Sequence, residues 1–363
     1  MTNQTTPIAE AGAGPARGRP SLAGLVDAEL RRFFARRFVL AMIAFVLGVL
    51  ALIAIGYAAN TTPINDQVRA EARARAQAQI DDQIRANEQI YQECLANQNG
   101  GTPGKFGPGF DCEQLRAKDP TSIDIDLYTD SLLPRQFVFV READGVLYLA
   151  AAILCLFAFV VGASFIGAEW TSGGLTNLLL WRPRRLPLLA TKLGSGLLGV
   201  LAACTGILVA WLGTLWTIAA AAGSTAGATA GFWRSTALTS VRILALALIA
   251  AAIGFALASL GRHTAMALGV FIGYLLVFEV GTRIVFGQLQ VAFPERFTLV
   301  PYVVGWLNKS LTLYDYDVCR FSFDQCEPRE YVITMASSAW VIGLLTALLV
   351  GGAMFTFSRR DVA

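Results

Sequence analysis

Residues equipped for chemistry are few in this chain, and their types exclude most reactions. His263 is the one histidine, so a multi-histidine metal site is ruled out, and a Ser-His-Asp triad would have to be built around that single position. The patterns HExxH, CxxC and GxSxG are all missing. NGGTPGKF, Asn99 to Phe106, approaches a phosphate loop and fails twice: Asn99 stands where the first glycine belongs, and Phe106 replaces the Ser or Thr that would hold Mg²⁺. Gly104 and Lys105 therefore read as loop and His263 as a turn residue. The chain reads as a non-enzyme that binds no cofactor or metal and has no ATP-hydrolysing motor of its own.

Charge set among apolar residues is the chemistry that remains. Glu279 and Arg283 are four residues apart in an apolar run, the spacing at which opposite charges meet on one helix face. They read as a structural pair tying a span to the segment after it, with a gating or substrate role as the alternative. Few other carboxylates lie in the apolar runs, which argues against proton-coupled transport. Trp211, Trp216, Phe255, Phe271, Tyr274 and Phe278 offer aromatic surface to an amphiphile, but read first as packing or interface residues. The densest charge is in EWTSGGLTNLLLWRPRRLPLLATK, Glu169–Lys192, a polar and basic interval between two apolar runs that each suffice to cross a bilayer.

The elements that must position these groups are membrane helices. Of 363 residues, 55% are hydrophobic and only 15% charged, and the apolar ones are blocked into long runs. At about 20 apolar residues per crossing, the expected fold is an all-α polytopic membrane protein of six transmembrane helices. Residues 1–20 read as a disordered tail. Residues 21–37 read as an amphipathic elbow helix on the inner leaflet, with Leu22, Leu25, Val26, Leu30, Phe33 and Phe34 on its apolar side. The spans are placed at 38–59, 146–168, 193–219, 239–260, 265–285 and 332–357. Between the first two lies an insertion, 60–145, that is mostly helical. Its Ile80, Ile84, Tyr91 and Leu95 share a face, and a Gly/Pro loop and short strand-like pieces such as Ile123 to Leu127 follow. Gly261, Arg262, His263 and Thr264 make a tight turn between spans four and five. A further segment, 286–331, precedes the last span.

Lys and Arg are retained on the cytoplasmic side, which puts 169–192 and both termini inside and the two large segments outside; Arg234 and Arg242 are the exceptions. A net charge of +3 without a dense basic surface or a nucleic-acid motif leaves no nucleic-acid partner. Cys94 and Cys112 then share one external segment and Cys319 and Cys326 the other, while Cys155 and Cys204 lie within spans. The pairs Cys94–Cys112 and Cys319–Cys326 are expected on the oxidising side, worth roughly 2–4 kcal/mol each. Connectivity stays open, and free thiols are the alternative.

At 169–192 the sequence resembles the membrane subunit of a type-2 ABC exporter. In that family the second span commonly ends in Glu, followed by a Gly, a Leu pair, a Pro, a basic residue and a Lys opening span three. The matching positions are Glu169, Gly173, Leu178 and Leu179, Pro183, Arg185 and Lys192; where the family often has Thr after the Gly, this chain has Gly174. An elbow with Glu29 followed by Arg31 and Arg32 fits too, and the insertion between spans one and two resembles one subgroup of bacterial permeases. The resemblance implies a half-transporter for efflux in a bacterial plasma membrane. It would pair with a second permease, identical or paralogous, and dock a dimer of ABC ATPase subunits that carry the ATP and Mg²⁺. On that reading Glu169 orients a cytoplasmic coupling helix to which Gly173 and Pro183 belong as motif positions. Leu178, Leu179 and Trp181 insert in the ATPase groove, with Arg182, Arg184 and Arg185 at its rim or on lipid phosphate; a plain positive-inside loop is the alternative. A non-transporting scaffold or sensor, binding a partner through its external helix, is the reading from another class.

Overall fold

The computed structural model describes residues 30–98, 111–115, 124–174, 185–315 and 327–359. After a helical stretch at 30–35 come α1 (Arg37–Ala59), α2 (Asp66–Gln98), a 3₁₀ turn (Cys112–Leu115) and α3 (Ile125–Leu132). Next come α4 (Phe139–Thr171), α5 (Arg185–Ala221), α6 (Ala230–Gly261) and α7 (Thr264–Tyr274). A π-helical segment (Leu275–Gly281) joins α7 to α8 (Thr282–Gln288), and a 3₁₀ turn (Pro294–Phe297) leads to α9 (Val300–Asn308). Strands β1 (Ser310–Asp315) and β2 (Arg329–Thr334) pair antiparallel, Ser310 opposite Thr334, before α10 (Met335–Arg359).

Among the described residues, six helical spans are long and apolar enough to cross a membrane: α1, α4, α5, α6, the Thr264–Gln288 run and α10. The protein is an all-α polytopic membrane protein, with one small hairpin among the described residues.

The observed elements differ from the sequence expectation at several ends. Residues 125–132 are helical, where strand-like structure was expected up to Leu127, because Asp124 caps the turn: its carboxylate accepts from the backbone N–H groups of Asp126 (3.0 Å) and Leu127 (3.1 Å). Helices α4, α5 and α6 begin at Phe139, Arg185 and Ala230, well before the apolar runs at 146, 193 and 239. Packing rather than hydropathy sets one such start: Phe139 is fully buried, its ring 5.3 Å from Trp216, 5.7 Å from Phe232 and 5.8 Å from Trp233. Residues 329–334 form a strand, so the last span begins at Met335 rather than 332.

The chain divides into two compact units, and the division falls within α1, α4, α5 and α6. One unit consists of Met1–Val46, Ala150–Ile207 and Val241–Ala363. Its centre is the C-terminal part of α4, which meets α6 backbone to backbone. A Cβ on Gly162 would lie 2.3 Å from the Ala251 carbonyl oxygen, and one on Gly254 would lie 2.3 Å from that of Phe159. Only glycine permits that approach, the small-residue packing that brings membrane helices together. Farther along the same unit, α6 and α9 exchange hydrogen bonds, Arg242 Nη1 donating to the Leu307 carbonyl (3.2 Å) and Trp306 Nε1 to that of Arg242 (3.2 Å).

The other unit, Leu47–Leu149 and Leu208–Ser240, carries the insertion. Helix α2 buries Ala72, Ala76 and Ile80, spaced by four, and half-buries Ile84, Tyr91 and Leu95, while its remaining faces are mostly exposed. Cys94 and Cys112 are disulfide-bonded, fastening the end of α2 to the 3₁₀ turn, and Tyr91 adds a 2.9 Å hydrogen bond to Glu113.

Candidate functional site

The acidic residue ending α4 gathers three elements. Glu169 Oε1 accepts from Arg36 Nη2 at 2.9 Å, and Lys192 Nζ lies 2.8 Å from the same carboxylate. Arg36 precedes α1, Glu169 is near the end of α4, and Lys192 is in the second turn of α5. The Arg36 guanidinium also stacks 4.4 Å over the Phe165 ring and donates to the Phe165 carbonyl at 3.1 Å. The Lys192 and Glu169 side chains are only 12% and 15% exposed, so their attraction is little screened by water. Phe33, completely buried, packs on Phe165 at 5.9 Å and against the backbone of α5 at Gly199.

The adjacent Trp170 reaches other elements. Its ring is 6.0 Å from Phe357 in α10, and the Arg262 guanidinium, from the turn between α6 and α7, lies 5.2 Å over it. That turn is tight: Arg262 has φ +57°, and the imidazole of His263 accepts from the Ala265 N–H at 3.0 Å as N-cap of α7. Gly167 makes the approach possible, since a Cβ there would fall 2.1 Å from the Thr264 hydroxyl. Beyond Trp170, Gly173 takes φ +69°, the left-handed turn that ends a helix and that glycine adopts without penalty.

Glu169 and Gly173 thus occupy the entrance to the interval. Leu178, Leu179, Trp181, Arg182, Pro183 and Arg184 lie outside the described residues; Arg185 opens α5, and its side chain is not among those described. Cys319 and Cys326 fall outside them too. Sequence reasoning missed Arg36. It stands beside Arg37 ahead of an apolar run, and nothing in that spacing distinguishes it as the partner of a residue 133 positions away.

Glu279 and Arg283 do meet, at 3.3 Å, with Glu279 at the edge of full burial and Arg283 half exposed. The carboxylate does more than pair. Its Oε2 accepts from the Tyr274 hydroxyl (3.1 Å) and from the Leu299 N–H (3.3 Å), and Tyr274 in turn accepts from that N–H at 2.9 Å. Glu279 thereby fixes the start of α9 to the π-helical segment, a distortion often found at functional positions. Several aromatic candidates are taken up in packing: Trp211 is buried and donates to the Val146 carbonyl (3.2 Å), Trp216 joins the Phe139 cluster, and Phe271 lies on Phe159 at 4.9 Å, while Phe278, stacked on Tyr274, stays half exposed. No group of three or more His, Cys, Asp or Glu side chains able to hold a metal ion occurs among the described residues.

Six apolar spans among the described residues, with an ion-bonded helix end at Glu169, define a multi-pass membrane protein. The chain belongs to the ABC-2 family of transporter proteins, whose family model, described as ABC-2 family transporter protein, matches residues 28–362. Proteins of that family are the membrane components of transporters and work with an ABC ATPase. No curated protein and no solved structure gives a significant match.

Proposed function

We propose that this chain is the permease subunit of an ATP-driven exporter in a bacterial plasma membrane, with both termini cytoplasmic. In this reading it forms the translocation path with a second permease, identical or paralogous, and receives force at residues 169–192 from a separate ATPase dimer that holds the ATP and Mg²⁺. The supporting observation is the Glu169 carboxylate, clamped between Arg36 and Lys192. The interval connects α4 to α5, and this clamp joins the two helices to each other and to the approach of α1. A push on the interval is then delivered to three spans as a unit instead of being absorbed by a bending loop, as rigid-body rocking requires.

The contact itself falls to Leu178, Leu179 and Trp181, with Arg182, Pro183, Arg184 and Arg185 around them. The test is Leu178→Asp with Leu179→Asp in the full chain. Membrane insertion and monodispersity should be unchanged, while co-purification of the ATPase should fall by tenfold or more, as when a buried apolar anchor is removed from an interface on the order of 2 kcal/mol. Undiminished co-purification would remove the coupling assignment.

A further inference from the structure

We propose that a cavity of about 460 Å³ at the end of α1 and the start of α4 binds a head group carrying both an ammonium and a phosphate. The volume falls within the range of small-ligand sites, about 300–1,000 Å³. Every lining residue belongs to the unit that carries the insertion: Ile53, Tyr57 and Asn60 come from α1 and the residue after it, Arg135 and Phe137 from the segment before α4, and Glu142 from the first turn of α4.

Two of these side chains carry unspent charge. The Glu142 carboxylate is half-buried and has no hydrogen-bond or ion-pair partner among the described residues. Arg135 is exposed at the edge of the cavity; its carbonyl takes the Thr62 N–H at 3.2 Å, but its guanidinium has no partner among the described residues either. The neutral polar groups are largely committed. Asn60 Nδ2 donates to the Gly56 carbonyl (2.8 Å), Thr61 Oγ1 to that of Tyr57 (2.7 Å) and Gln136 Nε2 to that of Gly223 (3.0 Å). Recognition therefore falls to one anion, one cation and an aromatic wall, the Tyr57 and Phe137 rings 5.0 Å apart.

That set selects a zwitterion. A partly desolvated carboxylate beside aromatic faces favours an ammonium, through charge and through the ring quadrupole. The guanidinium is a phosphate donor by geometry. An anionic head group leaves Glu142 unserved, and a simple amine leaves Arg135 unserved. Location agrees with chemistry: α1 is an apolar helix of 23 residues ending at Ala59, so its end is at the level of bilayer head groups. Its Leu52 and Ile55, 70% and 62% exposed, supply apolar surface nearby for acyl chains. The site depends on this chain alone and not on the ATPase coupling.

The test is native mass spectrometry of the full chain in detergent, with short-chain phosphatidylethanolamine, its phosphatidylglycerol counterpart and free O-phosphoethanolamine as probes. Phosphatidylethanolamine should be retained about tenfold more strongly than phosphatidylglycerol. Glu142→Gln and Arg135→Gln should each lose about tenfold, the worth of one charge-assisted hydrogen bond. Asp144→Asn, an exposed charge outside the cavity, should retain the lipid like the unsubstituted protein, and thermal unfolding of all three variants should match it. Displacement of the lipid by free O-phosphoethanolamine assigns the site to soluble phosphoammonium compounds, and its failure to displace assigns it to lipid; both support the site. Equal retention of the two lipids, or unchanged retention in Glu142→Gln and Arg135→Gln, overturns it.

Discussion

Two positive charges rest on the Glu169 carboxylate, and the balance among the three groups decides what a substitution does. With Glu169 present, Arg36 and Lys192 share its single negative charge, at 2.9 and 2.8 Å. Without it, two largely shielded cations are left beside one another, and removing one partner of a buried pair costs on the order of 3 kcal/mol. Glu169→Gln keeps the side-chain shape and loses the charge. It should lower the detergent melting temperature of the full chain clearly, and Lys192→Met introduced with it should recover part of that loss, because the orphaned cation is then gone. A Glu169→Gln protein that melts like the unsubstituted one would show that the triad contributes nothing. At this scale the sequence was half legible. Glu169 and Lys192 could be picked out as motif positions and Glu279 with Arg283 as a helical pair, since the spacing within one helix is fixed. Arg36, Tyr274 and the Leu299 N–H were not legible, because their roles arise where separate elements meet.

Helices α4 and α6 approach each other through the backbone at Gly162 and Gly254. A methyl group at Gly254 would lie 2.3 Å from the Phe159 carbonyl oxygen, and a backbone atom cannot rotate out of the way as a side chain can. Gly254→Ala should therefore destabilise by about 1–3 kcal/mol through overpacking, despite the better helix propensity of alanine. Gly269→Ala in α7, where nothing lies within 4 Å of the added carbon, should be neutral or slightly stabilising. Thermal unfolding of the two variants side by side checks this, and equal midpoints would contradict the close approach. The six apolar runs were readable as spans because hydropathy reports membrane length directly. Helix ends were not, since α4 begins where Phe139 finds its aromatic neighbours and not where the apolar run begins. The hairpin was missed because its strands, Ser310–Asp315 and Arg329–Thr334, are separated by a long connection with no two-residue turn signal. The helix at Ile125 departs from the strand-like expectation because the deciding contact is the Asp124 cap, which composition does not report.

As a whole molecule, the chain is a membrane component of the ABC-2 transporter family. The near-phosphate loop fails at Asn99 and Phe106, and His263 is engaged as a helix cap. In the proposed function, work enters from a partner at 169–192, next to the Glu169 clamp. Within the insertion, the disulfide Cys94–Cys112 fastens the end of α2 to the 3₁₀ turn and adds roughly 3 kcal/mol by restricting the unfolded chain. The most direct test of the central claim is purification of the tagged full chain from its native host in mild detergent, with mass spectrometry of what accompanies it. A stoichiometric ABC ATPase in the complex is the expected result. An intact, monodisperse chain that emerges without one would contradict it.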